Sequence, residues 1–108
     1  RSRAKAMTEA TMEKALDLVK RYARIDYEDD DDLVQVMIEA AAQTMGELIP
    51  GFEPEKMTAR QKIILAASVK SVYDDREKYG KDTEQMKAAV ASMLLSEIYE
   101  RKAGTANG

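Results

Sequence analysis

Apolar residues recur at helical spacing in four stretches of this chain, with turn-forming residues between them. Met12, Ala15, Leu16, Val19, Tyr22 and Ala23 share one stripe, which predicts a first helix from Thr8 or Thr11 to about Arg24. Leu33, Val36, Met37, Ala40, Ala41, Thr44 and Leu48 repeat the pattern and predict a second helix from about Asp30 to Ile49. Pro50-Gly-Phe-Glu-Pro54 breaks the chain, because proline disfavours helix at the residue before it and glycine permits a sharp turn. Thr58-Ala-Arg-Gln61 has the spacing of a capping box, so a third helix starts at Thr58. Its stretch Ile63-Ile-Leu-Ala-Ala-Ser-Val69 is apolar on nearly every side, which marks it as the central helix, running on to Tyr79 and stopping at Gly80. Asp82-Thr-Glu-Gln85 offers another cap, and Met86, Ala89, Val90, Met93, Leu94, Glu97 and Ile98 define a fourth helix to about Lys102. No alternating run predicts a strand. The expected fold is all-α: a compact bundle of about four helices with short loops. Met7 reads as the natural start, so residues 1–7 are an upstream remnant or a disordered beginning, residues 8–102 one helical domain, and residues 103–108 a disordered tail.

Composition narrows the function. At 108 residues there is room for one hydrophobic core, and with one Phe, five Tyr and no Trp that core must be filled by Ala, Met, Leu, Ile and Val. The chain has no Cys and no His, so disulfides, thiolate metal sites and the commonest general base are all missing. No catalytic residue, metal ligand or cofactor is assigned, and the expectation is a protein that is not an enzyme. A formal charge of -3 argues against an autonomous nucleic-acid-binding module, which needs clustered Lys and Arg. No apolar run approaches the roughly 20 residues that span a bilayer, so a soluble, intracellular protein is expected.

The acidic run Asp26 to Asp32 invites a calcium-loop reading, but the EF-hand pattern fails: Leu33 and Val34 follow directly, and the next glycine is Gly46. Instead, one Asp is expected to cap the second helix while its neighbours favour the positive end of the helix dipole. Asp17 with Arg21, Asp74 with Lys78, and Glu97 with Arg101 sit one turn apart for ion pairing. Arg24 and Arg76 each lie near a helix C-terminus beside acidic neighbours, and serve either local ion pairing or contact with a partner. The seven Met residues fill the core or form a pliable recognition surface. Helices three and four carry more apolar side chains than one small bundle can bury, so Leu65, Val69, Val72, Leu95 and Tyr99 are the candidate self-association surface.

Taken in order, Val19-Lys-Arg-Tyr-Ala-Arg-Ile-Asp26, Asp29-Asp-Asp-Asp-Leu33, Ile38-Glu-Ala-Ala41 and Val72-Tyr-Asp-Asp-Arg-Glu77 resemble the phage head-to-tail connector family, also called head-completion or adaptor proteins. The resemblance runs from about Met12 to Tyr79. It implies an all-helical virion subunit, assembled in the host cytoplasm and located at the head-tail junction. It also implies a homo-oligomeric ring of about twelvefold order beneath the portal protein. Such a ring receives the tail or further head-completion proteins, and DNA passes through its channel only as cargo. The alternative from another class is a small helical nucleic-acid-binding protein, such as a terminase small subunit or a regulator. Its basic recognition helix is missing, since the third helix opens with Arg60 and Lys62 only.

Overall fold

Helices begin in this chain where a side-chain oxygen can take one of the free first-turn amides. Thr8 Oγ1 accepts from the Thr11 amide at 3.2 Å and starts α1 (Glu9–Ala23). Both halves of the expected capping box form at α3 (Ala59–Asp74): the Gln61 amide donates to Thr58 Oγ1 at 3.1 Å, and the Thr58 amide donates to Gln61 Oε1 at 3.0 Å. Asp82 Oδ1 accepts from the Gln85 amide at 3.1 Å ahead of α4 (Thr83–Asn107). The exception is α2 (Asp31–Leu48), where Asp30 occupies the cap position but makes no side-chain cap bond. The computed structural model describes residues 7–80 and 82–107, with residues 100–107 described by backbone alone. Among them there are four α-helices, two short 3₁₀ turns (Pro54–Lys56 and Arg76–Tyr79) and no strand.

The helix ends show where local chemistry overrode periodicity. α1 closes in a Schellman turn: the Ile25 amide reaches Lys20 O at 2.8 Å, and Arg24 takes the left-handed conformation, φ 61° and ψ 45°. Ile25 is buried beneath this turn, supplying its usual hydrophobic contact. The third helix ends at Asp74 rather than at Tyr79, because Asp75 leaves helical geometry (φ -104°, ψ 19°) and a 3₁₀ turn carries the chain to Gly80, φ 59°. The expected Asp74–Lys78 pair is lost with that turn. Lys70 pairs with Asp74 at 2.6 Å, and Lys78 lies 3.8 Å from Asp75. Asp17 and Arg21 pair one turn apart as expected. Backbone helix continues past Lys102 to Asn107. The Arg101 side chain, residues 1–6 and Gly108, on which other expectations fall, lie outside the described residues.

Each helix packs against the next one in the chain. α2 and α3 form the centre, and α1 and α4 each pack against both. The core joins Val19 of α1, Val34, Met37, Ile38, Ala41 and Met45 of α2, Leu65, Val69 and Val72 of α3, and Met86, Val90 and Leu94 of α4. Methionine therefore does supply much of the core bulk. Ser68, also fully buried, donates to Ile64 O at 2.9 Å and leaves no orphan hydroxyl. Leu65, Val69 and Val72 must accordingly be withdrawn from the candidate self-association surface. They are at most 2% exposed, because α3 is covered on three sides by its own neighbours.

Candidate functional site

Three of the segments quoted for the family resemblance meet at one corner of the bundle, where the α1–α2 link lies against the C-terminal end of α3. Tyr73 follows Val69 and Val72 on the buried face of α3, and a tyrosine so placed needs a partner for its hydroxyl. It donates to Asp30 Oδ2 at 2.5 Å. With its proton committed there, the Tyr73 oxygen accepts from the Tyr27 hydroxyl at 2.8 Å. Arg76 completes the group: its guanidinium carbon sits 4.0 Å above the Tyr73 ring centroid, Nη1 donates to Tyr73 O at 2.8 Å, and Nε lies 3.7 Å from Asp30 Oδ2. Burial, then the hydrogen bonds to Asp30 and Tyr27, raise the Tyr73 pKa above its ordinary value of 10.0, while the Arg76 charge opposes them. Beside this group Lys20 Nζ pairs with Asp31 at 2.8 Å, tying α1 to the first turn of α2.

The acidic run is thus divided. Asp30 and Asp31 are committed to partners across helix boundaries, so the expectation that one Asp of the run caps α2 through its side chain is corrected: Asp30 stands at the cap position, but its carboxylate is taken by Tyr73 and Arg76. Asp26, Glu28, Asp29 and Asp32 are exposed. Among the described residues, no group of three or more Asp or Glu converges to hold a metal ion. Sequence reasoning singled out the Asp26 to Asp32 run and Arg76 but missed Tyr73 and Lys20 as their partners. A tyrosine on an otherwise apolar helical stripe, with Arg76 one turn later, was the available signal for Tyr73. Nothing in the sequence paired it with residues more than forty positions away.

Arg24 is placed differently from Arg76. Its side chain is exposed and lines an open cleft of about 640 Å³ with Asp17, Lys20, Arg21, Ile25 and Asp26. Lys20 and Arg21 are paired with Asp31 and Asp17, whereas Arg24 makes no ion pair with any described residue. Of the apolar candidates, Leu95 is 38% and Tyr99 62% exposed. Both lie on a stripe with Ala88 and Ser92 that runs along α4 opposite its core seam of Met86, Val90 and Leu94. Ile63, Leu48, Tyr22, Tyr27 and Met93 are the other large apolar side chains exposed among the described residues.

The described residues form an all-helical domain that leaves one face of α4 bare and uses its polar contacts to fasten helices together. Its sequence matches the profile of the phage gp6-like head-tail connector protein family over residues 13–102, and the chain belongs to that family. The match extends into α4, beyond the segment to Tyr79 that carries the motif resemblance. The family is one of structural phage connectors and not of enzymes. Its members' place is the virion head-tail junction, in contact with other head and tail proteins. Comparison with curated proteins and with solved structures gives no significant match. No helix among the described residues is long and apolar enough to cross a membrane.

Proposed function

We propose that this chain is the repeating subunit of a closed ring that docks on the portal protein at the capsid vertex and presents its other end to the tail or to further completion proteins. The observation that carries the reading is the uncharged outer stripe of α4. A helix that buries one seam normally faces water with charged residues, yet Ala88, Ser92, Leu95 and Tyr99 put apolar and small side chains there. Such a stripe is suited to contact with another protein surface. A heterologous contact repeated by rotation closes into a ring, and a portal of matching symmetry lets every subunit make the same contact. The acidic balance, -3 per chain, supports a channel that does not hold passing DNA through phosphate contacts.

The test mixes purified protein with DNA-filled, portal-bearing heads that lack it. Added density at the portal vertex and recovery of tail attachment are the expected results. Heads and tails that join normally without the protein, or no binding to the vertex at any workable concentration, would refute the ring-and-portal assignment.

A further inference from the structure

Arg24 stands in the left-handed position of a Schellman turn, which glycine occupies without strain and an L side chain occupies at a cost. It is the sole non-glycine residue with positive φ among those described. The backbone conformation is stabilised by the turn's own hydrogen bonds and by buried Ile25, but the guanidinium is exposed beside the cleft and makes no ion pair with a described residue. The complement is present on α2. Asp32, Glu39, Gln43 and Glu47 fall on one exposed stripe of that helix, and α2 contains no Lys or Arg to neutralise it. None of its three acids is ion-paired with a described residue.

We propose that the Arg24 cleft is a docking site for a second copy of this chain, with the guanidinium taking a carboxylate of the neighbour's α2 stripe, Glu39 or Glu47. The inference rests on the ring reading and specifies one of its contacts. The two surfaces differ, as a head-to-tail contact requires, and each subunit carries both. A guanidinium suits a carboxylate because its planar fork can give two parallel hydrogen bonds. The unpaired carboxylates that complement the guanidinium stand on this chain's own α2, which makes a second copy the occupant.

Arg24→Asn separates the two consequences, because asparagine tolerates the left-handed conformation but cannot make the ion pair. It should raise the melting temperature by about 2–5 °C, yet require at least about tenfold more protein for assembly measured by light scattering, or for addition to portal-bearing heads. Arg24→Glu should block assembly without unfolding the subunit, as judged by circular dichroism. Glu39→Arg with Glu47→Arg should do the same. Joining the three changes in one chain should restore assembly, since the reversed charges then face one another. Assembly of Arg24→Glu at the wild-type concentration would overturn this contact and leave the ring reading standing. So would a triple variant that stays unassembled while remaining folded. A wild-type protein that assembles neither alone nor on heads would remove both.

Discussion

Tyr73→Phe takes one oxygen from the corner where α1, α2 and α3 are fastened and leaves the ring packed as before. What it removes is specific: the hydrogen bond from Tyr73 to the Asp30 carboxylate at 2.5 Å and the acceptor for the Tyr27 hydroxyl. A hydrogen bond to a charged group contributes roughly 1.5–3 kcal/mol, and one between neutral groups roughly 1 kcal/mol. Both figures must be discounted. The Asp30 side chain is 29% exposed and keeps Arg76 beside it, and Tyr27, 45% exposed, can turn its hydroxyl to water. The expected loss is therefore about 1–2 kcal/mol, a fall of roughly 4–15 °C in melting temperature for a domain of this size. A double-mutant cycle with Asp30→Asn should give a coupling of at least about 1 kcal/mol. Alkaline titration adds a second signature. Folded Tyr73 ionises above the ordinary value of 10.0, so the unfolded chain gives up its proton first. That stabilising contribution is fully present below pH 10 and is lost as the pH climbs through the folded value. Above pH 10, wild-type stability should fall more steeply than that of Tyr73→Phe. A loss below about 0.5 kcal/mol, additive double mutants, or parallel alkaline curves would show that the corner is packed but not fastened.

Other perturbations test the frame and the bare face. Thr58→Ala removes half of the capping box at α3 and should cost about 1 kcal/mol, read from chemical denaturation. Leu65→Ala should cost roughly 2–5 kcal/mol because the side chain is wholly enclosed, whereas Leu95→Ala should change subunit stability by less than about 1 kcal/mol and instead weaken association. Equal destabilisation by the two leucine changes would mean that α4 buries its outer stripe within the subunit.

Helix positions were legible in the sequence wherever a local signal existed. The Thr58–Gln61 box and the Pro50-Gly51 break act within a few residues, and α1, α2 and the start of α3 lie within a residue or two of where the pattern puts them. Which face of α3 is solvent-facing was not legible. A helix apolar all round shows that it is central but not how many neighbours it has, and so Leu65, Val69 and Val72 were assigned outward when they point inward. The end of α3 was missed because it depends on Asp75 and on Arg76 turning back over Tyr73, a tertiary contact that has no periodic trace. The pairing of Tyr73 with Tyr27 and Asp30 was hidden for the same reason. Polar pairing across more than forty residues follows from the fold and cannot be read before it.

The divided acidic run also fixes the length of the α1–α2 link. Tyr27 and Asp30 converge on one hydroxyl of α3, and Asp31 must at the same time reach Lys20. Deleting a single Asp from the four would leave a string of carboxylates little changed in charge, yet it would shorten by one residue the span on which those three contacts depend. What looks like a repeated letter is a measured spacer.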